Sequence, residues 1–360
     1  MDTFGFIIHP IDPKRDVSRK YPLLGKLLSE KQIDFFSTFF PPVYISEIDG
    51  IRSEQTGKEI KGWFVACPYT PKRMLTLPEK TAYHKIIQTG RMAEKLGAKI
   101  LGLGAFTSVV GDAGLTVARA LDIPVTTGDA YTVSIAIQAV RQAAAVMGID
   151  MEKATAAVVG ATGAIGRVCA ELLAEEVSEL ILIGRRPDAL KTLQHELKAK
   201  GAEARLTCAT DVEGLKRSQL IVTVTSAQKA LIQSEHLQPG CVVCDVARPR
   251  DVSAQVAERR DDVLVIDGGM VEVPGNVDFH FDFGFPPGKA YACMAETMAL
   301  ALEGRLEDYT LGKQITRTRV EEITQIAQKH GFRLSGFRSF ERAVTPDDIV
   351  RIKKRAGGLF

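Results

Sequence analysis

Short apolar runs alternate with stretches of helical spacing from residue 155 onward. The apolar runs cover residues 155–159, 180–183, 220–225, 241–245 and 263–267. Helical spacing is found between the first of these runs, over residues 164–176 and 187–200. Apolar runs of this length between helices are typical of strands in a parallel sheet, which is buried on both faces. The pattern predicts an α/β fold with a Rossmann-type, doubly wound parallel sheet.

The first third of the chain shows a similar alternation, whereas residues 1–50 are rich in Phe and Pro and give no clear pattern. The spacing predicts strands over 64–67, 99–104 and 123–127 and helices over 79–96 and 131–147. The segment 104–110 is interpreted as a glycine-led apolar loop. This part of the chain is therefore expected to be α/β in its own right.

The end of the chain is predicted to be helical, with helices over 291–303 and 313–330 and a short last helix from Pro346. A chain of 360 residues is too long for one small core. We predict an N-terminal α/β substrate domain over 1–130, a Rossmann NADPH-binding domain over 131–290, and a C-terminal helical segment over 291–360.

Composition narrows the class of protein. Hydrophobic residues make up 45% and charged residues 25%, which is ordinary for a globular protein, and the net charge of +2 gives no reason to expect nucleic acid. No run of 18 apolar residues occurs, and charged residues occupy the first 20 positions, where a signal peptide needs an apolar stretch. We therefore expect a cytoplasmic protein with at most peripheral membrane contact.

A glycine-rich turn separates the first apolar run of this region from its helix. Gly160, Gly163 and Gly166 allow the backbone to turn sharply and to approach a pyrophosphate, which the helix N-terminus favours. Thr162 and Ile165 lie within the same turn. The motif predicts a dinucleotide site, and the alternative is a turn that needs glycine for close packing alone.

The end of the next strand indicates which dinucleotide is bound. NAD sites usually carry an acidic residue there, whereas this strand ends in Gly184, Arg185 and Arg186. Two guanidinium groups suit the 2′-phosphate of NADP. The alternative is an ordinary pair of solvated arginines. Further cofactor contacts, near the nicotinamide, are expected from Thr225, Ser226 and Gly269.

Cys293 is the candidate nucleophile, because it lies near the start of a predicted helix. The helix dipole favours a thiolate there, Lys289 would add a positive field, and Glu296 is placed to carry a proton or cap the helix. A thiolate attacks a thioester and later departs readily. The alternative is a small core residue, which is common for Cys in a helix rich in Ala and Met.

Five motifs occur in one order over residues 62–332, and together they are more specific than any one of them. They are Gly104-Ala-Phe-Thr-Ser-Val-Val110, Thr126-Thr-Gly-Asp129, Gly160-Ala-Thr-Gly-Ala-Ile-Gly166, Ala292-Cys-Met-Ala-Glu296 and Lys329-His-Gly-Phe332. This ensemble resembles the long-chain fatty acyl-ACP reductases best known from cyanobacteria. The resemblance implies NADPH-dependent reduction of an acyl-ACP or acyl-CoA thioester to an aldehyde, with Cys293 carrying the acyl group.

The resemblance also implies which residues border the acyl chain. Substrate-binding residues carried over in this way are Gly104, Phe106, Thr107, Ser108, Asp129 and Tyr131. The family has Asn and His at the last two positions, which leaves the acyl chain and its carrier open. An aldehyde-consuming partner enzyme is a further implication, and no metal is expected.

Two other function classes remain open. A dehydrogenase like those acting on shikimate or methylenetetrahydrofolate would share the two-domain plan without needing Cys293, but the apolar segment 101–110 suits a polar substrate poorly. A non-catalytic sensor that binds NADPH and an acyl carrier differs from the enzyme only in lacking turnover. Short-chain dehydrogenase chemistry is disfavoured because no Tyr-x-x-x-Lys occurs. A glutamyl-tRNA-reductase-like enzyme would carry its cysteine in the N-terminal domain.

Several other residues are ambiguous. Cys241 and Cys244 lie in an apolar run and are interpreted as buried strand cysteines. His84 is interpreted as a surface histidine, and His280, which lies between two aspartates, as a residue that does not bind metal. Asp245 and Arg248 follow a strand and belong either to the site or to a structural turn. The basic residues of the tail 333–360 are interpreted as solvated, the alternative being a docking site for a carrier or a membrane.

Overall fold

A computed structural model describes residues 1–357. The strands run in this order: β1 Thr3–Ile8, β2 Val43–Arg52, β3 Glu59–Ala66, β4 Leu101–Leu103, β5 Val125–Thr126, β6 Thr155–Val159, β7 Glu179–Ile183, β8 Arg205–Ala209, β9 Leu220–Thr223, β10 Val242–Asp245, β11 Leu264–Asp267, β12 Met270–Glu272, β13 Gly275–Asp278, β14 Lys289–Tyr291, β15 Arg333–Leu334, β16 Arg338–Ser339 and β17 Arg342–Ala343.

The helices run α1 Pro13–Lys20, α2 Pro22–Leu27, α3 Glu30–Ser37, α4 Pro71–Thr76, α5 Glu79–Leu96, α6 Phe106–Val109, α7 Leu115–Ala120, α8 Asp129–Met147, α9 Ala164–Leu173, α10 Pro187–Ala199, α11 Ala254–Arg259, α12 Ala292–Glu303, α13 Arg317–His330 and α14 Pro346–Arg355. Three short 3-10 turns cover Met151–Lys153, Glu213–Arg217 and Ser234–His236.

The chain forms two compact units. The first combines residues 1–131 with 271–333, and the second combines residues 132–270 with the chain from 334 onward. The first boundary lies one residue from the expected position. The prediction of a separate C-terminal segment over 291–360 is corrected: α12 and α13 belong to the first unit, because their apolar faces pack there, whereas the basic tail with α14 belongs to the second.

The first unit is built on a mixed six-stranded sheet in the order β13-β2-β3-β1-β4-β5. Strands β3, β1, β4 and β5 are parallel, whereas β2 and β13 are antiparallel to their neighbours. The apolar runs of β1 and β4 are fully buried between helices, among them α5 and α12. Because carboxyl ends of parallel strands share one edge, the residues after β1, β4 and β5 meet at that edge, where α/β proteins place their sites.

The second unit contains an all-parallel six-stranded sheet in the order β11-β10-β9-β6-β7-β8. All five strands predicted from apolar runs are present. The sequence missed the edge strand β8, in which Leu206 is buried and Arg205 and Cys208 are exposed. Strand β8 is only partly covered, so it lacks the continuous apolar run that marks the others, including the buried strand β11 at the opposite edge.

Other predictions differ from the structure in detail. The segment 104–110 is not simply a loop, because α6 forms within it. Helix α8 begins at Asp129 rather than 131, and α13 begins at Arg317, where the Thr316 side chain accepts a hydrogen bond from the Arg319 N–H. Residues 1–50, which show no clear pattern in the sequence, form β1, three helices and most of β2. Cys241 and Cys244 are free and buried, as predicted.

Candidate active site and nucleotide-binding turn

Cys293 is the second residue of α12, so it lies in the first helical turn as the sequence indicated. Tyr291, which precedes the helix, has extended backbone and serves as the N-cap. Gly128 packs directly against the cysteine: a Cβ at residue 128 would lie 2.3 Å from the Cys293 Cα and 2.4 Å from its Cβ. Gly128 also has a φ of +76°. It therefore fixes the start of α12 against the carboxyl end of β5.

Glu296 lies one turn further along the helix and is fully buried. Its carboxylate accepts hydrogen bonds from the Thr126 hydroxyl at 2.5 Å, the Thr310 hydroxyl at 2.8 Å and the Tyr131 N–H at 2.9 Å. Burial raises the pKa of this carboxyl despite these donors. Glu296 joins β5, α8 and the segment after α12, so the structure assigns it a positioning role in addition to any proton transfer.

Asp129, the first residue of α8, is the second carboxyl group near Cys293. Burial and the neighbouring Glu296 carboxylate raise the pKa of Asp129 to about 7. Tyr131 is also buried, and its burial raises the pKa of the phenol. A carboxyl that titrates near neutrality beside a cysteine has the properties of a proton acceptor, which the motif at 126–129 did not reveal.

The expected lowering of the Cys293 pKa is wrong. Burial, together with the negative charges of Asp129 and Glu296, raises the pKa of the thiol to about 12, although the residue keeps partial solvent exposure. These effects outweigh the helix dipole. The Lys289 ammonium lies 3.8 Å from the Glu272 carboxylate, and its expected contribution to the field at Cys293 stays a prediction. Cys293 therefore rests as a thiol and needs a base before it can attack.

The segment after β4 lies at the same edge of the first unit's sheet. Gly104 adjoins the end of β1, since a Cβ there would lie 2.6 Å from the Ile7 carbonyl oxygen. Phe106 is buried, and the Thr107 and Ser108 hydroxyls donate to the Gly104 and Ala105 carbonyls at 2.8 and 2.6 Å. These two hydroxyls shape the segment. They are oriented toward backbone, so their predicted contact with substrate stays a prediction.

His9, which sequence reasoning did not single out, lies at the same edge of the sheet as the segment after β4. It follows β1 directly, and its Nε2 accepts a hydrogen bond from the Phe106 N–H at 3.1 Å. Burial lowers the pKa of His9 to about 4, so its ring is neutral at neutral pH. The signal was available, because His9 ends the apolar run of residues 3–8 in the poorly patterned N-terminal region.

The glycine turn of the second unit fits a dinucleotide. Gly160 has a φ of +85°, and a Cβ there would lie 2.6 Å from the Val224 carbonyl oxygen. A Cβ at Gly166 would lie 2.3 Å from the Gly160 carbonyl oxygen, and Gly163 is the N-cap of α9. Thr162 and Ile165 are half-buried in the same turn. The turn thus combines close backbone packing with the helix N-terminus that a pyrophosphate needs.

The other expected cofactor residues surround the carboxyl ends of the second sheet. Arg185 and Arg186 are exposed directly after β7, and Gly269, with a φ of +82°, follows β11. Thr225 is held by Asp251, which accepts its N–H at 3.0 Å and its hydroxyl at 2.6 Å, whereas Ser226 is exposed. Asp251 is fully buried and was not singled out from the sequence. The contacts of these residues with the cofactor stay predictions.

The ambiguous residues have structural partners. Asp245 accepts the N–H groups of Ala247 and Val252, and Arg248 donates to the Asp245 carbonyl, which favours the structural-turn interpretation. His280 contacts Asp49 and Asp278, and no group of residues with metal-binding potential occurs in the described part of the chain. His84 is exposed and lies 3.0 Å from the Gln88 side chain.

Comparisons with known proteins identify the family. The chain is 32% identical, over 91% of its length and 98% of the relative's, to the long-chain acyl-[acyl-carrier-protein] reductase of Synechococcus elongatus. The chain belongs to the long-chain acyl-ACP reductase family. The resemblance found in the motifs is thus confirmed, and the expected NADP(H) cofactor agrees with the family and with the dehydrogenase match below.

Three further similarities were found. The chain is 31% identical to the aminotransferase PigE of a Serratia species over 98% of its own length, but it spans only 42% of PigE. Residues 141–267 match the Shikimate / quinate 5-dehydrogenase family, which covers the nucleotide-binding sheet alone. The L-tryptophan dehydrogenase structure from Nostoc punctiforme, at 10% identity over 99% of this chain and 88% of that one, has a TM-score of 0.40. Among the described helices, none has the length and apolarity needed to cross a bilayer.

Proposed function

We propose that the chain reduces a fatty acyl thioester, carried on acyl carrier protein or coenzyme A, to an aldehyde through an acyl group on Cys293. The observation that carries the proposal is the immediate packing of a partly exposed Cys293 against Gly128, beside the carboxyls of Asp129 and Glu296. Cys67, the other cysteine of this unit, is fully buried and has no such surroundings. The family membership supports the same chemistry.

The proton of Cys293 goes to Asp129 in this proposal. With the pKa of the thiol near 12 and that of Asp129 near 7, the carboxylate is available as the base around neutral pH. As the proton moves to Asp129, the sulfur attacks the thioester carbonyl, and the bond from that carbon to the carrier sulfur breaks. The departing carrier thiolate recovers the proton from Asp129. Loss of the negative charge on Asp129 also removes a repulsion that disfavours the thiolate.

The cofactor residues of the second unit complete the proposal. Gly160, Gly163 and Gly166 would hold the pyrophosphate, and Arg185 with Arg186 would hold the 2′-phosphate. Bound NADPH would supply the hydride to the acyl carbonyl carbon. The bond from that carbon to the Cys293 sulfur would then break, which releases the aldehyde and leaves a Cys293 thiolate that takes up a proton from water. Backbone N–H groups of the first turn of α12 would stabilise negative charge on the oxygen of the carbonyl attached to Cys293.

The direct test is the mass of the intact protein after incubation with a long-chain acyl-CoA or acyl-ACP in the absence of NADPH. We expect a mass increase of one acyl group. Cys208→Ala is the matched control, because Cys208 is an exposed cysteine of the other unit and its removal should leave the adduct intact. An unmodified mass with both thioesters would contradict the proposal and favour the sensor or small-substrate dehydrogenase alternatives.

Asp129→Asn should lower the rate of acylation by roughly 100-fold at pH 8, which is the scale of a lost general base. In the wild type we expect acylation to slow as pH falls through about 7, because Asp129 becomes protonated. The groups that act on this titration are Glu296 and Cys293 of α12 and the Thr127 side chain. The measurement is single-turnover acylation against pH.

The stability of the same variant gives an independent control. The pKa of Asp129 is raised to about 7 in the folded protein. The free energy of unfolding is therefore highest, with respect to this group, below its ordinary pKa of about 4, and it falls as pH rises to about 7, because the buried carboxyl must then ionise. Asp129→Asn should therefore be more stable than the wild type at pH 8 and similar to it at low pH. An acylation profile with an unchanged inflection in Asp129→Asn would exclude Asp129 as the base.

Replacing Arg185 and Arg186 together by alanine should raise the KM for NADPH about tenfold or more, since each lost bond to a charged group is worth roughly 1.5–3 kcal/mol. The KM for NADH should change little, because NADH lacks the 2′-phosphate. Lys198→Ala, an exposed basic residue on the following helix, is the control. Equal losses for both cofactors would show that the pair does not recognise the phosphate.

A further inference from the structure

Apolar side chains are concentrated on the surface of the N-terminal helices. Of the fifteen exposed large apolar residues in the described part of the chain, eight lie between residues 21 and 40. We call them the N-terminal apolar surface: Tyr21, Leu23, Leu24, Leu27, Phe35, Phe36, Phe39 and Phe40. Leu27 is 78% exposed and Phe39 is 71% exposed. Single exposed apolar residues are ordinary, but a concentration of this kind marks an interaction surface.

The members of this surface are held together by local structure. Helix α1 packs against both α2 and α3. The Phe35 ring makes edge contacts with Phe36 and Phe39, at centroid distances of 5.4 and 5.6 Å. Three of the four phenyl rings therefore form a continuous cluster that faces outward, rather than scattered side chains.

Helix α3 exposes apolar residues and buries polar ones. Its buried side chains are Ile33, Asp34 and Ser37, whereas Phe35 and Phe36 are exposed. Asp34 accepts a hydrogen bond from the Thr70 hydroxyl at 2.5 Å, and Arg73 Nε lies 3.3 Å from its carboxylate. The helix is thus anchored through its polar side, and this orientation fixes the phenyl rings on the outside. If the outer side of α3 faced only water, we would expect polar residues on that side and apolar residues on the buried side.

The charges around the surface are mainly basic. Helices α1 to α3, over residues 13–37, contain six Lys or Arg and three Asp or Glu. Two of the three acidic residues, Asp16 and Asp34, are paired with arginines, whereas Lys14, Lys26 and Lys31 are exposed. The net charge that this surface presents to a partner is positive.

We propose that the N-terminal apolar surface binds the surface of an anionic phospholipid bilayer. Leu and Phe side chains enter the boundary between headgroups and acyl chains, while lysines contact anionic headgroups, which is the composition of helices that lie in a membrane interface. A second copy of the chain would bring two positively charged surfaces together. An acidic carrier protein would satisfy the lysines but would leave four phenyl rings without an apolar partner.

The test is co-sedimentation of the full chain with vesicles of phosphatidylcholine alone and of phosphatidylcholine with about one third phosphatidylglycerol. We expect binding to the anionic vesicles, weakened by about 0.5 M NaCl. The double variant F35S/F39S should bind them at least about tenfold more weakly, because two interfacial rings are lost. Val350→Ser, which removes a side chain that is 65% exposed on α14, should bind like the wild type.

A second variant pair guards against a folding defect. Leu23→Ser with Leu27→Ser, on the neighbouring helix α2, should produce the same loss, with thermal melting of both pairs unchanged. Equal binding to neutral and anionic vesicles, or unaltered binding of both pairs, would overturn the proposal. Failure of the wild type to bind either kind of vesicle would also overturn it. Loss of binding to holo-acyl carrier protein by the Phe variants, or a change in their oligomeric state, would then assign the surface to that partner or to a second copy of the chain. None of these measurements uses enzymatic activity, so the outcome is independent of the proposed reaction.

Discussion

Cys293→Ala should abolish NADPH-dependent aldehyde formation from a long-chain acyl thioester, with a loss of about 10⁴-fold or more. The reason is that Cys293 carries the thiol at the first turn of α12, whereas the neighbouring Asp129 and Glu296 are carboxyls and cannot form an acyl thioester. The measurement is aldehyde formed per enzyme under saturating NADPH, by gas chromatography.

The fold should tolerate this change, which makes the result interpretable. Alanine removes one sulfur from a partly exposed position at a helix start, so melting and NADPH binding should stay close to those of the wild type. Cys293→Ser keeps the shape of the side chain but exchanges the thiol for a poorer nucleophile, and it should be nearly as inactive. Retention of more than a tenth of the activity by Cys293→Ala would exclude a covalent cysteine intermediate.

Gly128→Ala should reduce activity by roughly 100-fold, the effect of a small displacement of a reacting group. The added methyl group would lie 2.3 Å from the Cys293 Cα and 2.7 Å from its carbonyl oxygen, so α12 or the end of β5 must move. The change should also lower the free energy of unfolding by about 2–4 kcal/mol, from the overlap and from the positive φ. Activity and chemical denaturation measured on the same preparation test both expectations.

Gly97→Ala provides the matched control for backbone strain. Gly97 belongs to the same unit and has a φ of +95°, but a Cβ there meets nothing closer than a Trp63 ring atom at 3.7 Å. It should show the cost of the positive φ alone, with activity retained. If Gly97→Ala and Gly128→Ala lose activity equally, the contact with Cys293 is not what matters at Gly128.

The raised pKa of Cys293 changes how its reactivity is understood. A helix start lowers a thiol pKa when the surroundings are solvated or positively charged. Here the nearest charges are carboxylates, and the sulfur is largely desolvated although the residue keeps partial exposure. A cysteine that stays protonated at rest is protected from adventitious oxidation, because the thiolate is the reactive form. In the proposed reaction its activation depends on Asp129, a residue that the family resemblance assigned to substrate contact.

The nucleotide-binding unit was largely predictable from the sequence. Five of the six strands of its parallel sheet are apolar runs, because both faces of such a sheet are covered, and Gly166 is required by its contact with Gly160 within one continuous strand–turn–helix segment. The contact that requires Gly160 is with the Val224 carbonyl oxygen after β9, which lies outside that segment. The N-terminal 50 residues were not predictable in this way. Their helices α1 to α3 are six to eight residues long and expose Phe and Leu, so no periodic apolar face identifies them.

By itself, the sequence determined the α/β class, the position of Cys293 in the first turn of a helix, and the family. These are local properties, since periodicity, glycine spacing and motif order are all carried within short segments. The tertiary structure decided the chemistry at Cys293. Gly128 and Asp129 act on the Cys293 thiol across more than 160 residues of sequence, and Thr126 and Tyr131 hold Glu296 across a similar separation. The side on which α3 is buried depends on Arg73 and Thr70. Burial and electrostatics at such distances arise only when separate segments pack together.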